Sequence, residues 1–149
     1  VRHEVGAKAY ELRLSEESAG TQKLMGLAAY LMTALERGGT VVVDELDAKL
    51  HPKLLRYVIL LFKDPEVNKS GAQLIFSSQD VSTMRNDVFR RDEIWFAARG
   101  EGEASQLWSL ADIHEANGNL VSKNAAFDKQ YLSGRYGADP YLTRIEEWD

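Results

Sequence analysis

Asp44 and Glu45 are adjacent acids that follow the β-branched run Thr40-Val41-Val42-Val43. Such a run reads as a buried parallel strand, and in an open parallel sheet ligands gather outside the carboxyl ends of the strands. A carboxylate at that point can hold Mg²⁺, directly or through water. Its neighbour can point the other way and take a proton from an attacking water. The chemistry asks for two acids because charge neutralisation and base catalysis are separate tasks. The competing reading is a solvated turn at a strand end, where acids are common. The residues that follow, Leu46-Asp47-Ala48-Lys49-Leu50-His51-Pro52, add another acid and a histidine just ahead of a proline. Asp47 reads either as a contact across a subunit interface near a nucleotide or as a turn or capping residue. His51, preceding Pro52, reads as a helix cap.

A second candidate is Ser18-Ala19-Gly20-Thr21, at the start of a long apolar-periodic stretch. A helix N-terminus presents unpaired N–H groups and a partial positive charge, both suited to phosphate oxygens. Ser18 adds a hydroxyl, and Gly20 lets a ligand approach the backbone without a Cβ in the way. An ordinary serine N-cap explains the same residues.

These candidates need elements to hold them. Tyr10, Leu12 and Leu14 alternate with period two, so the stretch from Glu4 to Leu14 is expected to be a short strand. Leu24, Ala28, Leu31 and Leu35 recur at helical spacing from Thr21 to about Arg37, and Gly38-Gly39 ends that helix. Pro52 suits a first helical position, opening a helix through Leu54, Leu55, Val58, Leu61 and Phe62 to Asp64-Pro65. The apolar run Gln73-Leu74-Ile75-Phe76 ends in the polar Ser77-Ser78-Gln79-Asp80. Beyond it the sequence predicts a short helix over Met84–Phe89 and strands near Glu93–Ala98 and Gln106–Leu110. Gly100 and Gly102 make a hairpin-like loop between those strands, a helix follows over Ala125–Leu132, and Gly134–Pro140 is irregular. Strand–helix–strand order with buried apolar strands predicts an α/β layer, a parallel sheet core with helices and a C-terminal β-hairpin.

Composition sets limits. The chain has 149 residues, 44% apolar and 28% charged, enough for one core and one domain spanning residues 1–149. A formal net charge of -5 argues against a sequence-independent nucleic-acid binder, which needs a basic surface. Arg85, Arg90 and Arg91 read either as a small local basic patch or, the favoured reading, as a solvated helix face. There are no cysteines, which excludes disulfides and cysteine zinc sites, and His3, His51 and His114 are scattered. No run approaches the ~20 apolar residues of a membrane span. With no signal peptide ahead of the first polar residues, the expected location is the cytoplasm. The chain starts with Val rather than Met, which leaves a fragment, a processed form and an unusual start all open.

Taken in order, the serine-glycine helix start, the strand-end Asp-Glu, the acid in the next loop and the second strand with a polar end resemble the ABC ATPase superfamily. The closer likeness is to AAA/ABC-type ATP-binding proteins grouped with the OLD-like and RecF/SMC-like heads. Glu17-Ser18-Ala19-Gly20-Thr21-Gln22-Lys23-Leu24 looks like their signature motif. Val41-Val42-Val43-Asp44-Glu45, with Leu50-His51-Pro52 after it, looks like their Walker B. Phe89-Arg90-Arg91-Asp92-Glu93-Ile94-Trp95-Phe96 and Tyr131-Leu132-Ser133-Gly134-Arg135-Tyr136-Gly137 are similar to the family's C-terminal end. The likeness runs from about Leu14 to Leu142. It implies a partial P-loop NTPase fold in which Asp44 serves Mg²⁺ and Glu45 is the catalytic base. Ser18, Gly20 and Thr21 would meet the γ-phosphate of ATP bound to another subunit, and Asp47 would act in the D-loop.

Two departures qualify the resemblance. Family members carry a P-loop, G-x-x-x-x-G-K-[ST], whose backbone and lysine hold the phosphates, and the 149 residues contain no Gly-Lys dipeptide. The isolated chain is therefore expected neither to bind ATP tightly nor to hydrolyse it. At the switch position, where relatives carry a histidine, this sequence has Gln79, which donates a hydrogen bond but carries no charge; Gln79-Asp80 also reads as a plain polar turn. Losing the first part of such a head would expose apolar surface on Val41 and Val43 and their neighbours, so the expected partners are a second copy or a P-loop-containing protein. Nucleic acid is expected only for the full assembly. The main rival is a truncated, non-enzymatic fragment or interaction half-domain. Asp44-Glu45-Leu46-Asp47 also fits a helicase DExD box, but the arginine-bearing motif of a second lobe is missing. A Toprim-like nuclease needs a D-x-D pair, where this chain has D-E-x-D.

Overall fold

The computed structural model describes residues 1–6, 8–99, 104–115 and 118–138. The chain divides into two compact units, Val1–Asp80 and Val81–Asp149.

The first unit opens with a hairpin of β1 (Arg2–Val5) and β2 (Lys8–Glu11), paired antiparallel from Arg2 opposite Glu11 to Val5 opposite Lys8. The single strand expected over Glu4–Leu14 is thus two strands, broken where Gly6 takes a φ of 61°, and Leu14 begins a 3-10 turn, Leu14–Glu16. Helix α1 (Ala19–Arg37) follows, with Ser18 as its N-cap accepting a hydrogen bond from the Thr21 amide. It ends where the Gly38 N–H reaches Ala34 O at a φ of 72°, and an added Cβ there would stand 2.6 Å from Ser70 O. Only glycine combines that backbone angle with that approach.

Strand β3 (Thr40–Val43) pairs in parallel with β4 (Gln73–Phe76), Val42 opposite Ile75 and Val43 opposite Phe76. Helix α2 (Pro52–Lys63) crosses between them, with Pro52 at its first turn and the His51 ring accepting from the Lys53 amide, as the cap reading of His51 expects. Helix α1 packs on β3 and α2 on β4. The buried residues here are Leu31 and Ala34 of α1, Val43, Leu46, Leu50, Ala72, and Leu55, Val58 and Ile59 of α2. The apolar surface left open lies on neighbours of Val41 and Val43 and not on those two valines themselves. Val43 is buried and Val41 half-buried, whereas Val42 is 74% exposed and its neighbour Ile75 55% exposed. Side chains alternate across a strand, so the helices cover the odd-numbered valines and leave Val42 and Ile75 on the far face.

In the second unit the helix expected over Met84–Phe89 is absent: those residues are bends and turns, lying between a 3-10 turn at Val81–Thr83 and another at Arg91–Glu93. The three arginines do not share a helix face. Arg85 pairs with Asp87, Arg90 with Asp92 and Glu93, and the Arg91 guanidinium donates to Val121 O at 2.5 Å. Strands β5 (Trp95–Arg99) and β6 (Ser105–Ser109) pair antiparallel; Gly100 and Gly102 between them, like Pro140, lie outside the described residues. Helix α3 (Phe127–Leu132) completes the unit. Ile94, Phe96, Leu110, Val121, Phe127 and Tyr136 form its core, with the Tyr131 ring stacked on Phe96 at 5.7 Å. Tyr136 donates its hydroxyl proton to Gln130 Oε1 at 2.6 Å, and burial pushes its phenol up to about 12.

Candidate functional site

The corner after β3 gathers the predicted acids. Asp44 and Glu45 sit at the carboxyl end of β3, and Glu45 holds a φ of 47°, a left-handed angle that costs a residue with a Cβ about 1–2 kcal/mol. Both backbone groups of Glu45 are tied down. Its N–H donates to Ser77 Oγ at 2.7 Å, and its carbonyl accepts from Lys23 Nζ of α1 at 2.5 Å. The Ser77 hydroxyl in turn donates to Asp44 Oδ1. Leu46, fully buried, pins the chain just beyond the acids, and its N–H donates to Ser77 O at 3.0 Å.

Asp47 also meets the chain at Gln79: the backbone N–H of Gln79 donates to Asp47 Oδ2 over a long 3.4 Å. Asp47 Oδ1 is buried without a hydrogen-bond partner among the described residues. A buried carboxylate oxygen in that state is an acceptor awaiting a donor or a cation.

Ser18 and Thr21 share a hydroxyl–hydroxyl bond of 2.8 Å at the N-terminus of α1. The segment ahead is fixed by Glu17, whose side chain is 8% exposed and bonded at 2.5 Å to His3 Nε2 of the N-terminal hairpin. Gly20 has a reason unrelated to phosphate: a Cβ there would lie 2.7 Å from the backbone oxygen of Lys49, itself at a φ of 66°. Ala19, Gln22, Lys23, Ala48 and Lys49 line a cavity of about 450 Å³ against this turn. The helix start and the acid corner therefore belong to one local structure within one chain. Gly20→Ala tests the close approach. In open helix, alanine for glycine gains about 1 kcal/mol, but overpacking against a backbone atom costs about 1–3 kcal/mol. Gly20→Ala is expected to lower the midpoint of urea unfolding. Gly26→Ala, in the same helix with nothing within 4 Å, is expected to raise it.

Carboxylate and hydroxyl oxygens suit Mg²⁺, which is commonly held by one or two carboxylates plus waters and substrate phosphates. Among the described residues no three acidic, histidine or cysteine side chains are gathered to hold a metal unaided. The donor set is compatible with a magnesium ion that arrives with a nucleotide and takes one protein carboxylate, for which Asp44 would be the candidate.

Sequence reasoning missed Ser77 and Lys23, which shape the corner. Ser77 was one of four polar residues ending a strand, and Lys23 lay inside the signature-like segment; neither contact is local in sequence.

A strand-end acid pair, a capped helix start and a parallel strand pair thus share one small α/β unit. A family model described as "AAA domain, putative AbiEii toxin, Type IV TA system" matches residues 1–85. The chain belongs to this family of AAA domains. No curated protein and no solved structure matches it. Among the described residues no helix is long and apolar enough to cross a membrane.

Proposed function

We propose that this chain is the C-terminal part of an ABC-type ATPase head of the OLD-like and RecF/SMC-like kind, with a partial P-loop NTPase fold. It supplies signature and Walker B residues to a composite ATP site. The reading rests chiefly on the Asp44–Glu45 corner, held at the end of a parallel strand by Ser77 of the neighbouring one and tied through Lys23 to the signature-like helix. Asp44 presents a carboxylate to Mg²⁺, which screens phosphate charge when bound with ATP. Glu45 accepts the proton of the attacking water. Ser18, Gly20 and Thr21 offer the start of α1 to the γ-phosphate of a nucleotide held by another subunit, and Asp47 and Gln79 join the D-loop to the switch position.

The 149 residues hold no Gly-Lys dipeptide. The phosphate loop of this composite site therefore comes from another segment or from a partner, and association with a second copy or a P-loop-bearing protein covers Val42 and Ile75. Any contact with nucleic acid belongs to the full assembly and not to this chain alone, and the cytoplasm is the place for such a machine. The same missing dipeptide supports a second reading, a non-enzymatic interaction half-domain.

Co-expression with a P-loop protein encoded immediately upstream separates the two. Calorimetry of the chain alone is expected to show no micromolar Mg-ATP binding, whereas the co-purified pair binds and hydrolyses ATP. Micromolar binding by the chain alone would refute the composite site, and a pair that forms without turnover would favour the half-domain.

A further inference from the structure

We infer that Ser77 is the positioning residue of the acid corner, orienting the Asp44 carboxylate and the Glu45 backbone through one hydroxyl. The inference rests on the reading of Asp44 as the magnesium carboxylate and adds a residue that the motif pattern did not mark.

The geometry concentrates on Ser77. Its N–H donates to Val43 O at 3.1 Å, and its carbonyl accepts from the Leu46 N–H at 3.0 Å. Its Oγ accepts from the Glu45 N–H at 2.7 Å and donates to Asp44 Oδ1. One residue just past β4 thus bonds to each of the four consecutive residues 43–46. The two backbone bonds would be made by any residue at this position. The two Oγ bonds require a hydroxyl, which has one proton to give and lone pairs to receive.

The hydroxyl acts on orientation more than on stability. Ser77, Asp44 and Glu45 are all exposed, and a hydrogen bond of this kind adds little to folding when water can replace it. What water cannot replace is direction. With Oδ1 committed to Ser77, Asp44 keeps its other oxygen for a cation. With its N–H committed to the same Oγ, Glu45 stays at its left-handed φ. Partners that orient a metal-binding carboxylate in this way change metal affinity when removed.

The test uses the full 149-residue chain, isotope-labelled for NMR and titrated with Mn²⁺ alone, whose paramagnetism registers even the weak contact one carboxylate makes without nucleotide, as wild type, Ser77→Ala, Ser77→Thr and Asp44→Asn. Mn²⁺ broadening of the resonances of residues 44–46 is expected to need about tenfold more metal in Ser77→Ala, the usual loss when an orienting partner is removed. Ser77→Thr, which keeps the hydroxyl, is expected to follow the wild type. The Glu45 amide is expected to exchange faster in Ser77→Ala, with thermal unfolding nearly unchanged. Wild-type Mn²⁺ broadening in Ser77→Ala, alongside its loss in Asp44→Asn, overturns the role of Ser77 and leaves Asp44 as the metal carboxylate. Unchanged broadening in Asp44→Asn instead removes the metal reading itself, and the role of Ser77 falls with it.

Discussion

Glu45→Gln is expected to cut ATP hydrolysis by the completed assembly about 10²- to 10⁴-fold, the span that a positioned general base contributes, while leaving ATP binding in place. Glutamine matches glutamate in size but cannot take a proton at neutral pH. The corner that carries residue 45 is held by backbone bonds to Ser77 Oγ and Lys23 Nζ, which the substitution does not touch. Single-turnover hydrolysis measured beside nucleotide binding separates the outcomes. A loss of turnover with intact binding is the signature of a missing base. Equal turnover by wild type and variant would reduce Asp44-Glu45 to an exposed strand-end turn and withdraw the proposed chemistry.

The second large effect is on stability. Leu46 is completely buried directly after the two acids. Truncating a buried leucine costs about 2–5 kcal/mol, the transfer term plus the cavity left behind. Since a small domain is stable by only about 5–15 kcal/mol, Leu46→Ala should move the urea midpoint of the chain far toward zero denaturant. Leu46→Met, which nearly conserves volume, should cost less than about 1.5 kcal/mol. The comparison also bears on the site, because the Leu46 amide is bonded to Ser77 O and leaves the corner when its side chain loses its seat. A Leu46→Ala chain as stable as Leu46→Met would mean that this anchor is not what holds the acids.

The elements carrying the candidate site were legible because their signals are local. Ser18 caps α1, Pro52 opens α2, and the two apolar runs became β3 and β4. The N-terminal hairpin was not legible: Tyr10, Leu12 and Leu14 alternate as one strand would, and Gly6 alone marks the break. The open face of β3 was only partly legible for a related reason. An unbroken run of valines has no alternation, so periodicity cannot say which valine faces the helices. Ser77 was hidden because its bonds to Asp44 and Glu45 span more than thirty residues, whereas turn propensity sees only its neighbours. The bends and turns over Met84–Phe89, read as a helix, show the limit of a short apolar pattern without a cap.

The wet outer side of the parallel pair has a thermodynamic consequence. Burying a side chain such as Val42 or Ile75 is worth roughly 1.5–3 kcal/mol, and the first unit does not collect that gain by folding. A molecule lying on that side would collect it by binding, and part of the stability of this unit would then obey mass action and rise with the concentration of its cover. Melting temperatures measured on dilute material should therefore be compared only at matched concentration.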